Sequence, residues 1–181
     1  KYDEIGNITE LTLPDGNNKK YKYDNLYRLS EMTDINGVIT NTKYDPLGRI
    51  TYMKESTNRE YFYEYDLNGN LLKTKDPLGY QVNYTYNKRN ELTSITDEEG
   101  EKTNYNYTDT GSLKEVTDPL GYIKYYEYDN NGNLISEATN NGDKTTYNYD
   151  ALNRMVSITD PLKNITQYSY DKAGNVQKII D

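Results

Sequence analysis

The chain has 181 residues, the size of one ordinary domain, with no cysteine, histidine or tryptophan, one phenylalanine and 22 tyrosines. Without histidine and cysteine, the sequence excludes Ser-His-Asp and Cys-His nucleophiles, zinc sites with nitrogen and sulfur ligands, and disulfide frameworks. A net charge of −8 disfavours nucleic acid and anionic membranes as partners, and no apolar run is long enough to insert into a bilayer.

A repeat of 21 residues organises the whole chain, and each copy begins with a tyrosine. No copy carries an insertion or a deletion. Eight full copies and a partial ninth begin at Tyr2, Tyr23, Tyr44, Tyr65, Tyr86, Tyr107, Tyr128, Tyr149 and Tyr170. Positions are numbered below from this tyrosine. The regularity predicts a single array over residues 1–181, and because the chain starts at Lys1 we expect it to be a portion of a longer protein.

The first predicted element of each copy is a turn. Position 2 is aspartate in seven of nine copies, and position 5 is glycine in six. Aspartate accepts hydrogen bonds from backbone amides two residues on, and glycine tolerates positive φ. The expected structural signature of the repeat is Tyr2, Asp3, Gly6, Tyr23, Asp24, Tyr44, Asp45, Gly48, Tyr65, Asp66, Gly69, Tyr86, Tyr107, Gly111, Tyr128, Asp129, Gly132, Tyr149, Asp150, Tyr170, Asp171 and Gly174.

The remaining predicted elements are a strand, a second turn and a second strand. In the first strand, positions 7 and 10 are apolar but differ in parity, which indicates a bulge or a strong twist. The second turn is clearest as Asp-Pro-Leu-Gly at 76–79 and 118–121. In the second strand, positions 18, 20 and 22 share a face, and position 20 is tyrosine in seven of eight copies. No window predicts a helix.

Two all-β architectures suit such a repeat: consecutive antiparallel hairpins in one long sheet, or coils of a parallel solenoid. Asn-Gly pairs at 36–37, 68–69, 131–132 and 141–142 favour the hairpins. Each copy also has too few aliphatic residues to fill a solenoid. We therefore expect a long twisted or spiralling sheet, with a tyrosine and aliphatic face as its core and a charged face. The tyrosine hydroxyls are expected to reach water or the aspartate of the next turn.

Residues 44–51, Tyr-Asp-Pro-Leu-Gly-Arg-Ile-Thr, resemble the tyrosine-aspartate (YD, or Rhs) repeat, and the resemblance covers all nine copies. It implies a strip of β-sheet that spirals into a hollow shell or tube. Such repeats occur in bacterial Rhs polymorphic toxins, shells of insecticidal toxin complexes, wall-associated proteins and teneurins. In the toxins, the shell encloses a C-terminal toxic segment. Nothing here matches the conserved core segment that releases the toxin.

The first functional hypothesis is a non-enzymatic wall of a secreted or surface-displayed bacterial protein, without a cofactor. Its partners would be neighbouring repeats of the same parent chain and an enclosed toxin segment. Acidic pairs such as Glu64 with Asp66, and the run 97–99, are interpreted as turns and solvated faces, since an array supplies the same acids in every copy. The loops at 66–70 and 129–133 are interpreted as turns in preference to calcium sites.

Two alternatives stay open. The first is an adhesive module that binds a cell-surface polysaccharide through tyrosine rings. Tyrosines that the repeat does not require are its candidate contacts: Tyr27, Tyr52, Tyr80, Tyr122 and Tyr125. The second is a fibre that associates through its sheet edges.

Overall fold

The computed structural model describes all residues, Lys1–Asp181, and it confirms the all-β, antiparallel hairpin architecture. Its 17 strands belong to one sheet. They are β1 (Glu10–Thr12), β2 (Asn18–Tyr23), β3 (Leu29–Thr33), β4 (Ile39–Tyr44), β5 (Ile50–Glu55), β6 (Glu60–Tyr65), β7 (Leu71–Lys75), β8 (Gln81–Tyr86), β9 (Leu92–Thr96), β10 (Lys102–Tyr107), β11 (Leu113–Thr117), β12 (Ile123–Tyr128), β13 (Leu134–Thr139), β14 (Lys144–Tyr149), β15 (Met155–Thr159), β16 (Ile165–Tyr170) and β17 (Val176–Ile180). The structure contains no helix that is long and apolar enough to cross a membrane.

By its internal contacts the chain divides into two units. The first holds Lys1–Tyr84 with Asp97–Glu99, and the second holds Thr85–Thr96 with Gly100–Asp181. In the first unit, each strand from β1 to β7 pairs with the strand that follows it. In the second, the same holds from β9 to β16. All these pairs are antiparallel, which rules out the parallel solenoid.

A β-bulge in the first strand of the repeat explains its irregular apolar spacing. Tyr23 lies opposite Leu29, whereas Lys22 lies opposite Glu31, so no residue of β2 lies opposite Ser30 at position 8. The same shift recurs wherever this pairing is described. One extra residue reverses the alternation of side chains, and positions 7 and 10 therefore point to the same face.

Both turns of the repeat have one geometry, shown by Asp45. Its backbone N–H donates to the carbonyl of Arg49 (2.9 Å), and Gly48 N–H donates to the carbonyl of Asp45 (3.0 Å). All 17 residues with positive φ, twelve glycines and five others, lie at position 5 or 15. In an Asn-Gly pair only the glycine has positive φ, so the turns are three-residue loops ending in a left-handed residue, not two-residue I′ turns.

The sheet has no apolar core. No hydrophobic residue is buried, and the buried residues are Ser94 and Ser136, with 2% and 3% of their surface exposed. Within each unit, the backbone of every strand approaches only the strands next to it in the chain. A side-chain ion pair between Lys144 on β14 and Glu127 on β12 passes over the strand between them (3.3 Å). The tyrosines that the sequence assigns to a core are half-buried side chains on the face of a single layer, except Tyr2, which is exposed.

The left-handed turn position generates a stability prediction at Lys163 (φ 73°), where most copies have glycine. We expect Lys163→Gly to raise the free energy of unfolding by about 0.5–1 kcal/mol, because relief of the left-handed strain outweighs the extra entropy of the unfolded chain. The urea midpoint measures the change. Lys163→Ala is the control, since it keeps a Cβ and should give no gain; equal gains in both variants would contradict the explanation.

Candidate functional site: the tyrosine face and the turn clamps

Strand register divides the repeat between two faces. Tyr21 lies opposite Met32, Tyr23 opposite Leu29, and Met32 opposite Thr40. Because directly opposed residues share a face, positions 1, 7, 10, 18 and 20 form one surface, here called the tyrosine face. Positions 9, 11, 17, 19 and 21 form the opposite face. The tyrosine face has the tyrosines and aliphatic residues that the sequence predicts. The opposite face is not simply charged: it mixes charged with uncharged polar residues and carries Tyr52, Phe62 and Tyr125.

Tyrosine hydroxyls on this face bind backbone rather than aspartate. In five copies, the hydroxyl of the position 1 tyrosine donates to the carbonyl of position 7 in the preceding copy, at 2.6–2.9 Å. The donors are Tyr23, Tyr44, Tyr107, Tyr149 and Tyr170. The expectation that these hydroxyls reach the next aspartate was therefore wrong.

The accepting carbonyl is available because the strand ladder ends before it. The pairing of β3 with β4 stops at Glu31 and Asn41, so the carbonyl of Leu29 has no strand partner on that side and accepts from Tyr44 (2.7 Å). Burial raises the pKa of Tyr107, and the Glu91 carboxylate adds to this effect. A phenol is protonated at neutral pH even at its ordinary pKa of about 10, so this hydroxyl is available as a donor, and the shift extends that state to higher pH.

In three copies an arginine at position 6 joins the turn to the next copy, a contact here called the turn clamp. In its own turn, Arg49 donates from Nε to Oδ2 of Asp45 (2.6 Å). It also donates to the backbone carbonyl of Asp66 in the next copy (2.8 Å), and its guanidinium lies 4.8 Å from the centre of the Tyr65 ring. The same contacts, wholly or in part, are made by Arg28 and Arg154. One planar cation thus binds a carboxylate, a carbonyl and a ring.

The fifth copy builds its clamp from other residues. Asn87 replaces the aspartate and donates to Glu91 at position 6 (2.6 Å). Arg89 at position 4 binds Glu91 and extends to the carbonyls of Thr108 (2.9 Å) and Asp109 (2.5 Å) in the next turn. In this copy the amide is at position 2 and the carboxylate is at position 6, the reverse of copies with aspartate and asparagine there. An arginine still connects the turn to the next copy. Sequence reasoning missed the clamps, although the recurrence of arginine at position 6 signalled them.

The turn aspartates are held ionised by hydrogen bonds. Asp129 accepts from the side-chain amide of Asn133 (2.9 Å) and from the backbone N–H groups of Asn133 and Asn131. These donors lower the pKa of Asp129, with the Asn133 amide contributing most and desolvation opposing it. The Arg28 guanidinium, with backbone donors, lowers the pKa of Asp24 in the same way.

The two loops considered for calcium, around Asp66 and Asp129, are such turns. Both oxygens of each carboxylate are already hydrogen-bonded to asparagine and backbone donors. The chain has no group of three or more acidic residues arranged to hold a metal ion. Of the acidic residues considered for catalysis, Glu64 forms an ion pair with Lys73, with 3.5 Å between Oε1 and Nζ. Asp97 accepts a hydrogen bond from the backbone N–H of Glu99 within a turn (3.1 Å).

The five candidate glycan tyrosines do not form one site. Tyr27 occupies the left-handed position of a turn, at φ 61°. Tyr80 and Tyr122 lie at position 16 and are half exposed, and Tyr80 lines a depression of about 160 Å³ with two tyrosines of the tyrosine face. Tyr52 and Tyr125 lie on the opposite face. Of the five, Tyr52 alone contacts another aromatic ring, that of Phe62, with 5.0 Å between the ring centres.

A family model described as "RHS Repeat" matches six overlapping or separate stretches: residues 2–39, 65–102, 86–123, 107–142, 128–165 and 149–181. The chain belongs to the RHS repeat family. No curated protein sequence matches this RHS repeat chain.

Solved structures share its fold. The RHS repeat chain is similar to the TcdB2-TccC3-Cdc42 and TcdB2-TccC3 crystal structures, each with a TM-score of 0.58 and 17% identity, over 97% of this chain and 12% of theirs. It is also similar to a Tc holotoxin pore of Photorhabdus luminescens, with a TM-score of 0.57 and 18% identity, over 97% of this chain and 12% of that one. The chain thus spans about an eighth of the chains it resembles, and the likeness establishes the fold.

The turn clamp generates a prediction at Arg49. Arg49→Asn supplies the residue that position 6 has in other copies, so it keeps the bond to Asp45 but loses the carbonyl of Asp66 and the Tyr65 ring. We expect the free energy of unfolding to fall by about 1–2 kcal/mol, measured by urea denaturation. Arg59→Asn is the matched control, because this exposed side chain has only distant contacts, 3.9 Å to Glu55 and 5.9 Å to the centre of the Tyr61 ring; its cost should stay below about 0.5 kcal/mol. Equal losses would contradict a clamp.

The turn aspartates generate a prediction of acid sensitivity. A carboxyl group whose pKa is lower in the folded state stabilises the fold above its unfolded pKa, and this stabilisation is lost as the pH falls through the folded value. We therefore expect stability to be level from about pH 7 to 5 and to fall below about pH 4. Asp129→Asn should reduce that slope. Asp109→Asn, which alters an exposed carboxylate that accepts no hydrogen bond, should leave it unchanged; an equal reduction would disprove the role of the turns.

Proposed function

We propose that this RHS repeat array is a non-catalytic length of wall in a larger secreted bacterial protein, and that the wall encloses or displays a C-terminal toxin. Support comes from similar proteins of known structure, TcdB2-TccC3 and a Photorhabdus luminescens Tc holotoxin pore that contains TccC3.

The observation that carries the proposal is a sheet in which the backbone of each strand approaches only its chain neighbours and no apolar residue is buried. Such a layer covers a large area with few residues. Each 21-residue copy adds two strands, hence close to 10 Å of sheet. The array can therefore lengthen by whole copies without changing any existing contact. A wall needs this property, whereas a catalytic domain needs one privileged site.

The wall acts by exclusion. Backbone groups inside the sheet are paired with neighbouring strands, and the turns are closed by aspartates and clamps, so the layer has few loose segments for a protease to cut. The partners of the array are then neighbouring repeats of the same parent chain and the segment that they surround. A longer array that spirals into a hollow shell would separate this segment from the producing cell.

Limited proteolysis of the parent polypeptide tests this function. We expect the segment downstream of the repeats to resist a broad-specificity protease while the array is intact, because the wall bars access. The same segment expressed without the array is the control and should be cut at once. Equal cutting rates in the two samples would reject enclosure. Secretion is tested separately, by detecting the polypeptide in the culture medium of intact cells.

A further inference from the structure

Four side chains form a straight row across the opposite face of the first unit. Lys43 on β4 lies directly opposite Tyr52 on β5, Tyr52 opposite Phe62 on β6, and Phe62 opposite Lys75 on β7. Three strand spacings separate the ends of the row, about 14 Å. The two rings meet in the middle at 5.0 Å between centres, and Lys43 Nζ lies 5.2 Å from the centre of the Tyr52 ring. A cation thus stands at each end of an aromatic pair.

The repeat does not require these residues. Phe62 is the one phenylalanine in the chain. Every other residue at position 9 is polar or charged: Glu10, Glu31, Lys73, Ser94, Glu115, Ser136, Ser157 and Lys178. At position 19 the others are Lys20, Asn41, Asn83, Asn104, Tyr125, Thr146 and Gln167. Both departures fall on one hairpin and meet in register, although other copies form the same hairpin without them.

The row is accessible to a ligand, and neither of its two lysines is paired with an acidic residue. Lys54 and Lys73, nearby on the same face, form ion pairs with Glu60 (2.6 Å) and Glu64 (3.5 Å). Lys43 and Lys75 are in no ion pair. Shallow depressions of about 180 Å³ and 280 Å³ are both lined by Phe62 and Lys75, and 39% of the Phe62 surface is exposed. The first is flanked by Glu64 and Lys73, the second by Glu60 and the turn after β7.

We propose that the row Lys43–Tyr52–Phe62–Lys75 binds a linear polysaccharide that carries carboxylate groups. A pyranose ring offers a flat C–H surface to the exposed Phe62 ring and the half-buried Tyr52 ring beside it, and carboxylates on flanking sugars reach the ammonium groups of Lys43 and Lys75. The sugar hydroxyls stay in water or bind polar groups at the rim of the depressions. Glu60, Glu64 and Asp76 also line the depressions, and two of these acids are paired with Lys54 and Lys73. The two lysines of the row, which no acid pairs, are the groups that complement an anionic chain.

The shape of the site favours a saccharide over an acidic peptide. A peptide lying across the face of a sheet, perpendicular to its strands, leaves its own N–H and C=O groups without partners where it is pressed against the rings. A saccharide has no such backbone groups. This site requires only β4 to β7, and it does not depend on what the wall encloses.

Titration of the 181-residue chain with oligogalacturonate tests the site, with calorimetry or NMR shifts as the readout. We expect saturable binding, and methyl-esterified oligogalacturonate, which has the same sugar without the charge, should bind roughly tenfold more weakly. The double variant Lys43→Gln with Lys75→Gln should lose a similar factor. Phe62→Asn, which supplies the residue found at 41, 83 and 104, should also weaken binding while the urea midpoint changes little.

Matched controls come from the second unit. There, Tyr125 stands in the row Asn106, Glu115, Tyr125 and Ala138, without lysines or a second ring. Tyr125→Asn, and the double variant Lys102→Gln with Lys114→Gln, should leave the affinity within about twofold. Three results would overturn the assignment: no saturable binding, an equal loss in the Lys102 and Lys114 variant, or equally tight binding of polyglutamate, which would indicate an acidic peptide.

Discussion

The fold depends on the contact between one turn and the next, because no buried apolar residue is present to hold the sheet together. In most domains the hydrophobic effect sets the stability and turns only connect strands. Here the half-buried tyrosine face supplies part of the apolar burial, while specific polar contacts bind copy to copy. An aspartate closes most turns, and in several copies an arginine or a tyrosine hydroxyl extends to the backbone of the neighbouring copy. Charge-assisted and ring contacts at partly exposed sites are individually modest, so stability accumulates from their regular repetition.

The need for polar contacts between copies also explains the tyrosines at position 1. A leucine at position 1 would bury a similar apolar surface, but it could not satisfy the carbonyl of position 7 that the strand ladder leaves free. Phenol provides the apolar ring, a cation-binding face and a donor in one side chain. The bulge at position 8 is part of this design, because it turns position 7 to the face on which the next tyrosine stands.

Fold class, strand number and turn positions were predictable from the sequence, since a period of 21 residues with Asp and Gly at fixed offsets dictates where the chain reverses. The cross-strand partners were not. Register depends on which residue is the extra one in the bulge, and a shift of one residue moves every side chain to the other face. Two of the strand pairs that form the row from Lys43 to Lys75, β4 with β5 and β6 with β7, contain such a bulge. The reach of Arg49 into the next copy likewise depends on distances between turns that sequence spacing does not contain.

Because the backbone of each strand within a unit pairs only with its chain neighbours, the array also has a mechanical character. A force applied at one end of a unit loads the outermost hairpin first, and its hydrogen bonds break one after another as in a zipper. Each copy that detaches would release about 70 Å of extended chain, while the copies behind it keep their contacts. An array of this kind yields in equal steps, so the length of the wall and the work needed to unravel it are both set by the number of copies.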